Sequence, residues 1–245
     1  MNAKERISKI KNWISDYCRN MPHKSESLVI GVSGGIDSSV TSTICALTGI
    51  STIAVSMPIQ QIKSQDNLSK AHCNWLKDKF KNVEIENIYL DEVFKKFQGA
   101  LADYKSEHAY ANSRARIRMT TLYQVAGSNN GIVIGTGNKI EDFGVGFYTK
   151  YGDGGVDISP IADCTKTQIW EMGKELKILD EIINAEPTDG LWLDGRTDEN
   201  QLGMSYKELE KAMENPKDKN YKKYLQIRKR NLHKMQPIPV CKMED

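Results

Sequence analysis

The sequence predicts an α/β fold in which a parallel β-sheet is covered by helices on both faces. Between residues 2 and 135, short apolar segments alternate with longer segments whose apolar residues recur at helical spacing. The short segments are apolar throughout, which is typical of parallel strands buried on both faces. In such sheets ligands bind beyond the carboxyl ends of the strands, so we expect the chemistry in the loops after Val32 and Gly135.

The predicted elements follow one another along the chain. A first amphipathic helix over 2–20 is predicted from the helical spacing of Ile7, Ile10, Trp13, Ile14 and Tyr17. Strands are predicted at 27–32, 52–56, 83–89 and 131–135, of which the first and the last have the composition of buried strands. Helices are predicted at about 37–47, 64–80, 91–101 and 109–128 and, beyond a loop rich in Gly and Asp, at about 165–177, 205–214 and 218–233. We expect one domain over residues 1–245.

Composition and charge argue against several classes of protein. The formal net charge is +2, from 34 Lys and Arg against 32 Asp and Glu, which argues against nucleic-acid binding through bulk charge. The 5 cysteines are scattered without a C-x-x-C pair, which favours a reducing cytosol over a disulfide framework or a zinc site. Neither a secretory signal nor an apolar run of roughly 18 residues is present. We therefore expect a soluble, cytoplasmic protein that binds neither nucleic acid nor membrane.

The loop after the first predicted strand has the composition of a phosphate-binding loop. It runs Gly31-Val32-Ser33-Gly34-Gly35-Ile36-Asp37-Ser38-Ser39. Adjacent glycines let backbone N–H groups approach phosphate oxygens, and the dipole of the following helix favours the same anion. Asp37 is suited to hold the Mg²⁺ that accompanies ATP. The loop matches neither the Walker pattern nor G-x-G-x-x-G, and an isolated Ser-Gly-Gly could equally be a turn with a serine cap.

The whole string from Ser33 to Ser39, placed after a buried strand, resembles the pyrophosphate loop of the N-type ATP pyrophosphatases. That superfamily includes NAD synthetases, the GMP synthetase ATPase domain, asparagine and argininosuccinate synthetases, and tRNA thiolation enzymes. The resemblance implies a Rossmann-like sheet of the adenine nucleotide alpha-hydrolase type. It also implies cleavage of ATP between its α- and β-phosphates, with an adenylated substrate as the intermediate.

Motifs in the second half of the chain resemble the NAD synthetase family within this superfamily. The string from Phe147 to Asp157, F-Y-T-K-Y-G-D-G-G-V-D, is specific to that family. Further matching segments are Ala115–Met119, Gly135–Lys139, Thr165-Lys166, Glu186–Thr188, Leu202–Tyr206 and His233-Lys234. The resemblance implies amidation of deamido-NAD to NAD with consumption of ATP. Glutamine-dependent relatives carry an additional glutaminase domain, for which 245 residues leave no room, so we expect ammonia as the nitrogen donor.

The resemblance also implies a role for individual residues. The expected ATP-binding residues are Gly31, Val32, Ser33, Gly34, Gly35, Ile36, Asp37, Ser38, Thr136, Lys166 and Thr188. The expected deamido-NAD-binding residues are Arg116, Lys150, Asp157, His233 and Lys234. Asp37 and Lys166 are the expected catalytic residues. The family is homodimeric, with the dinucleotide site at the interface, for which the 109–128 helix is the candidate.

The second Mg²⁺ ligand beside Asp37 has two candidates. Counted forward from Thr136, the family's metal-binding carboxylate falls on Glu141, whereas counted back from Lys150 it falls on Asp142. This difference implies a one-residue shift between the two reference points. We favour Glu141, because the end of a strand is the more rigid reference.

Two other functions are compatible with the nucleotide loop. A tRNA-modifying sulfur transferase would require paired reactive cysteines or a basic RNA-binding surface, and the sequence shows neither. A nucleotide-binding regulator without catalysis is the other alternative. The presence of Asp37, Lys166 and a carboxylate in the loop after the fourth strand argues against it.

Overall fold

Four parallel strands form the central sheet, in the order β3–β2–β1–β4. They are β1 (Ser27–Gly31), β2 (Ser51–Ser56), β3 (Val83–Asn87) and β4 (Gly131–Ile134). In the computed structural model, which describes residues 1–61, 63–188, 190–192 and 195–243, Val29 of β1 lies opposite Ile53 of β2 and Val133 of β4. The predicted parallel α/β sheet is confirmed.

Helices connect and cover the strands. They are α1 (Ala3–Asn20), α2 (Ile36–Leu47), α3 (Lys63–Lys79), α4 (Asp91–Ala100), α5 (Glu107–Ser128), α6 (Lys166–Glu175), α7 (Asp180–Ile183), α8 (Asp198–Leu202), α9 (Tyr206–Glu214) and α10 (Tyr221–Met235). A π-helical segment, Lys139–Val145, follows β4. The sequence did not predict this segment, α7 or α8, because each is shorter than the window in which helical periodicity is recognisable. No helix within the described ranges is long and apolar enough to cross a membrane.

Both faces of strands β1, β2 and β4 are buried, as their apolar sequences predicted, whereas the edge strand β3 exposes Glu84 and Glu86. Successive side chains of a strand point to opposite faces. Leu28 and Ile30 accordingly pack with α1, α2 and α6, where Ile14 is fully buried. Val29 packs on the other face with α4 and α5, where Phe94 is fully buried. The two cores fix the positions of the strand ends and hence of the loops that follow them.

The buried face of α1 is narrower than the predicted spacing indicated. It consists of Ile7, Ile10, Ile14 and Cys18. Trp13 and Tyr17 are 45% and 40% exposed. Each precedes a buried residue by one position, which turns its side chain about 100° away from the buried stripe.

A third apolar cluster lies beyond the carboxyl end of β4. It packs α9 and α10 against the π-helical segment. The loops after β1 and β4 meet next to this cluster, because the chain crosses from β3 at one edge of the sheet to β4 on the other side of β1. Such a change of direction opens a crevice between the two strand ends.

Candidate functional site

A cavity of about 520 Å³ opens in this crevice, a volume within the usual range for small-molecule sites. Its walls come from the loop after β1, the end of β2, helices α3 and α5, the residues after β4, and the segment that follows α7. Half of these walls therefore belong to helices and a strand, and two of the three remaining segments start from strand ends.

The glycine loop after β1 has a conformation that only glycine adopts without strain. Gly34 has a φ of +85°, and a Cβ there would lie 2.6 Å from the backbone nitrogen of Ser69. Hydroxyl groups hold the rest of the loop. The backbone N–H of Gly35 donates to Ser33 Oγ at 3.2 Å, and the N–H of Ser33 donates to Ser38 Oγ at 3.2 Å. The loop is therefore fixed in shape by its own contacts.

Helix α2 begins directly after this loop, with its N-terminus at the cavity. Its N-cap is Gly35, which has no side chain to accept a hydrogen bond from the first turn. Free N–H groups and the helix dipole at such a terminus favour a bound anion. The loop and α2 together suit a phosphate group.

Lys166 joins two carboxylates at the floor of the cavity. It is the first residue of α6, whose N-cap Thr165 forms a capping box with Gln168. Its Nζ lies 2.5 Å from Oδ2 of Asp37 and 2.9 Å from Oε1 of Glu141, and the residue is only 2% exposed. Three groups from α2, the π-helical segment and α6 thus form one buried ion-pair cluster.

The three groups shift one another's pKa values. Burial disfavours the Lys166 ammonium, but the charges of Asp37 and Glu141 outweigh it and raise the pKa of Lys166. Burial also opposes ionisation of Glu141, yet the Lys166 ammonium and a hydrogen bond from Tyr206 lower its pKa. For Asp37, burial outweighs the ammonium and raises the pKa. When all three are ionised, the cluster carries one net negative charge and favours a further cation.

Asp37 and Glu141 fit the chemistry of Mg²⁺, which prefers hard oxygen ligands and usually binds one or two carboxylates together with substrate phosphates. Both side chains line the cavity next to the glycine loop. In the part of the chain that the structure describes, no group of three or more His, Cys, Asp or Glu forms a complete metal site. Substrate oxygens would have to supply the remaining ligands.

The geometry distinguishes the two candidates for the second metal ligand. Glu141 shares the Lys166 ammonium with Asp37, whereas the Asp142 carboxylate lies so close to Gly137 that a Cβ there would overlap it. Burial, with the nearby carboxylates of Asp153, Glu141 and Asp37, raises the pKa of Asp142 well above its ordinary value. This arrangement favours Glu141 as the ligand, which stays a prediction.

Because ionised Asp142 is disfavoured in the folded chain, we expect the substitution Asp142→Asn to stabilise the unliganded protein at neutral pH. Below about pH 4 the folded and unfolded chains both keep the proton, and the substitution should change little. At higher pH the unfolded chain ionises freely, so the wild type loses stability relative to the variant. Melting temperatures between pH 4 and 8 test this, with the exposed Asp103→Asn as control. A constant difference across the range would contradict it.

The sequence matches a known family over almost its whole length. A family model described as NAD synthase matches residues 6–243. The chain belongs to the NAD synthase family. A relative from Carboxydothermus hydrogenoformans, an NH(3)-dependent NAD(+) synthetase, is 34% identical over 211 residues, which cover 86% of this chain and 85% of the relative. The resemblance inferred from the motifs is thereby confirmed.

Solved structures of the NAD synthase family share the fold. The NMN synthetase from Francisella tularensis superimposes with a TM-score of 0.90 at 33% identity, covering 98% of this chain and 99% of that chain. The NH3-dependent NAD synthetase from Campylobacter jejuni, in complex with the nitrate ion, gives a TM-score of 0.78 at 25% identity, covering 99% and 100%. The predicted Rossmann-like fold of the adenine nucleotide alpha-hydrolase type is confirmed.

The cavity brings together all of the residues predicted to bind ATP and metal. Its lining includes Gly31, Val32, Ser33, Gly34, Gly35, Ile36, Asp37, Ser38, Thr136, Glu141, Lys166 and Thr188. These residues come from five separate segments of the sequence, which the sheet topology gathers at one crevice. Their roles as ligands stay a prediction of family membership.

The residues predicted to bind the dinucleotide lie outside this cavity. Arg116 is on the exposed side of α5, where its Nε donates to the carbonyl oxygen of Lys150 at 3.2 Å. Asp157 binds the edge of the sheet, because Oδ2 accepts the N–H of Val133 at 2.7 Å. His233 is exposed on α10. The structure thus leaves these side chains on the surface of a single chain.

Lys234, which is also predicted to bind the dinucleotide, is only partly exposed. Its Nζ donates to the carbonyl oxygen of Tyr148 at 2.5 Å, and the Tyr148 hydroxyl donates to the carbonyl oxygen of Lys234 at 2.7 Å. Partial burial lowers the pKa of Lys234, although the carboxylates of Asp153 and Asp142 oppose this effect. These two hydrogen bonds hold the end of α10 against the segment around Tyr148, which lies a few residues before Asp153.

Arg118, Tyr206 and Asp198 also belong to the site, although no role was predicted for them. Arg118 lines the cavity from α5, and its Nε donates to the carbonyl oxygen of Met57 at 3.0 Å. The helical spacing of Ala115, Arg118 and Leu122 could have revealed it, since these residues share a face. The hydroxyl of Tyr206, on α9, contacts Glu141 and also Asp198, which lies on α8. Tyr206 ends the family-like segment Leu202–Tyr206, but that resemblance gave it no role, and Asp198 lies outside the matching segments.

Proposed function

We propose that this protein amidates the nicotinate carboxylate of deamido-NAD with ammonia, consuming ATP and releasing NAD, AMP and pyrophosphate. The observation that carries the proposal is the Lys166–Asp37–Glu141 cluster beside the glycine loop, in a chain of the NAD synthase family. A relative at 34% identity bears the name NH(3)-dependent NAD(+) synthetase. The protein is therefore a carbon–nitrogen ligase of NAD biosynthesis.

The first step is the transfer of the adenylyl group. The loop amides and the N-terminus of α2 bind phosphate oxygens of ATP, and the nicotinate carboxylate attacks the α-phosphorus with pyrophosphate as the leaving group. Asp37 and Glu141 would hold Mg²⁺, which would offset charge on the phosphates. The Lys166 ammonium lies between those carboxylates and exchanges them for phosphate oxygens as charge develops on pyrophosphate. Catalysis rests on positioning and electrostatics.

The second step is the formation of the amide. Ammonia attacks the adenylated carboxyl carbon, a proton leaves the nitrogen, and AMP departs with the electron pair of the broken C–O bond. No serine or cysteine nucleophile takes part, because the mixed anhydride is itself sufficiently reactive. The proposal also includes that residues 1–245 form one domain and that this domain uses ammonia without a glutaminase.

The mononucleotide is a second candidate substrate. The NMN synthetase from Francisella tularensis gives a TM-score of 0.90, against 0.78 for the NAD synthetase from Campylobacter jejuni. The same two steps on nicotinate mononucleotide would give NMN. Adenylation and amidation concern only the nicotinate carboxylate, so the catalytic cluster would serve both substrates equally.

The residues predicted to bind the dinucleotide support a homodimer, and a cytoplasmic location is a separate part of the proposal. Arg116, on the outer side of α5, contacts Lys150. Tyr123, also on α5, donates its hydroxyl proton to Oδ1 of Asp157 at 3.1 Å. A substrate bound at this surface would be left open to solvent on one side. A second copy of α5 would cover it and complete the site.

Purified protein given ATP, Mg²⁺ and ammonium is expected to convert deamido-NAD to NAD with an equal yield of AMP. A parallel reaction with nicotinate mononucleotide shows which acceptor is preferred, and glutamine in place of ammonium should give no product. Because Mg²⁺ offsets phosphate charge, EDTA should abolish the reaction. Separation of the nucleotides by liquid chromatography provides the measurement.

Omission of ATP serves as the control for that experiment. ATP binding without AMP release, with either acceptor, would contradict the proposal and favour a nucleotide-binding regulator. Consumption of ATP only in the presence of tRNA and a sulfur donor would favour a sulfur transferase.

A further inference from the structure

We propose that Tyr206 is a positioning residue for ATP-dependent catalysis, and that its hydroxyl holds Glu141 in place as a ligand for magnesium-bound ATP. The inference rests on the proposed function, because it takes ATP with Mg²⁺ as the ligand of the cavity. Tyr206 does not line the cavity itself. It acts through Glu141, which does.

The hydroxyl of Tyr206 lies between two carboxylates. It is 2.5 Å from Oε1 of Glu141 and 2.9 Å from Oδ2 of Asp198. Tyr206 is only 1% exposed and Asp198 only 5%, so water does not take part in either contact. A phenol carries a single proton, and the shorter contact identifies Glu141 as the preferred acceptor.

The ring of Tyr206 is fixed by packing that does not depend on the hydroxyl. It meets Trp170 edge to face, with centroids 6.2 Å apart at an angle of 89°. Tyr206 is also the first residue of α9, where Ser205 and Glu208 form a capping box. The hydroxyl is therefore presented to Glu141 from a rigid support, as the positioning of a ligand requires.

Tyr206 contacts the catalytic cluster with two different parts of its side chain. The Lys166 ammonium lies 4.7 Å from the ring centroid of Tyr206, while the hydroxyl binds Glu141. Oε1 of Glu141 accepts from both Lys166 and Tyr206. When Lys166 leaves the carboxylates for the phosphates, Tyr206 is the donor that stays. Glu141 then keeps its orientation while its charge becomes available to the metal.

Tyr206→Phe tests the inference, because phenylalanine keeps the ring and its contact with Lys166 and removes only the hydroxyl. Tyr224→Phe is the matched control: Tyr224 is 5% exposed, belongs to the same apolar cluster, and donates to the carbonyl oxygen of Gly144 at 3.3 Å. Calorimetric titration with ATP and Mg²⁺, without any acceptor, is expected to show about tenfold weaker binding for Tyr206→Phe. Tyr224→Phe should bind as the wild type does.

Steady-state kinetics adds a second readout. Tyr206→Phe should raise the half-saturating Mg²⁺ concentration and lower kcat by about tenfold or more, with the KM for deamido-NAD unchanged. In a Glu141→Ala background, Tyr206→Phe should produce no further loss of ATP affinity, since the acceptor through which the hydroxyl acts is gone. An unselective structural change would not give this pattern.

Several outcomes would overturn the inference. These are equal ATP affinity of Tyr206→Phe and Tyr224→Phe, an undiminished effect of Tyr206→Phe in the Glu141→Ala background, and failure of Tyr206→Phe to fold, which would mark the hydroxyl as a structural group. A wild type that binds ATP but amidates neither acceptor would refute the proposed function instead. The affinity comparison would stand in that case.

Discussion

Replacement of Lys166 by methionine is expected to lower the rate of amidation by about a thousandfold or more, because the side chain that offsets charge on the departing pyrophosphate is lost. The substitution also leaves Asp37 and Glu141 facing each other with no cation between them. Breaking a buried ion pair by removing one partner costs about 3–5 kcal/mol of stability. Kinetics of AMP release and thermal unfolding of the unliganded protein measure the two effects separately.

Mg²⁺ provides the internal check on this prediction. In the variant, a metal ion can take the place of the ammonium between the two carboxylates, so added Mg²⁺ should raise its melting temperature more than that of the wild type. Lys174→Met is the matched control on the same helix, since Lys174 is exposed at the far end of α6. Near-normal activity of Lys166→Met would contradict the role of Lys166 in the mechanism. An equal rise in the melting temperatures of Lys166→Met and the wild type with Mg²⁺ would contradict the placement of the ammonium at the metal site.

The glycine loop and its helix could be predicted from the sequence because their requirements are local. A positive φ at Gly34, the short hydroxyl contacts of Ser33 and Ser38, and a helix that starts at Ile36 all arise within one continuous segment. Strands β1, β2 and β4 were equally visible, since each has a continuous buried run, whereas β3 at the edge of the sheet alternates Val and Ile with exposed Glu. Local pattern therefore gave the fold class and the phosphate-binding half of the site.

The remainder of the site depends on contacts between distant segments. Tyr206 reaches Glu141 across 65 positions of sequence, and Lys166 reaches Asp37 across 129. A tyrosine at the start of a helix has the same sequence appearance whether it points to solvent or to a carboxylate. The π-helical turn that presents Glu141 has no periodicity of its own, because it results from packing against α9 and α10.

Helix α5 shows how a family resemblance and helical geometry select different residues. The resemblance identified Arg116, which the structure places on the exposed side of the helix. Arg118, two positions later, is turned by about 200° and lines the cavity with Ala115. The two arginines therefore face different surfaces. Arg118 lines the cavity within a single chain. Arg116 can contribute only to a site on the outer surface of α5.

Substitution of Gly34 by alanine is expected to have the second large effect, through both backbone strain and a collision. The φ of +85° is strained for any side chain, and the new Cβ would lie 2.6 Å from the backbone nitrogen of Ser69 and 3.0 Å from the Leu68 backbone. Since α3 cannot yield as a flexible side chain would, we expect a loss of about 3 kcal/mol or more. Denaturant unfolding measures stability, and calorimetry with ATP measures the accompanying loss of affinity.

Two other glycines, Gly49 and Gly35, separate the contribution of backbone strain from that of the collision. Gly49 shares the positive φ, at +79°, but a Cβ there would meet nothing within 4 Å, so Gly49→Ala should cost only the strain, about 1 kcal/mol, and leave ATP affinity intact. Gly35 has a φ of −82° and only Ser33 Oγ at 3.4 Å, so Gly35→Ala should fold with near wild-type stability. If Gly34→Ala were no worse than Gly49→Ala, the close approach of the loop to α3 would have no energetic weight. The shape of the phosphate site would then depend on its hydroxyl contacts alone.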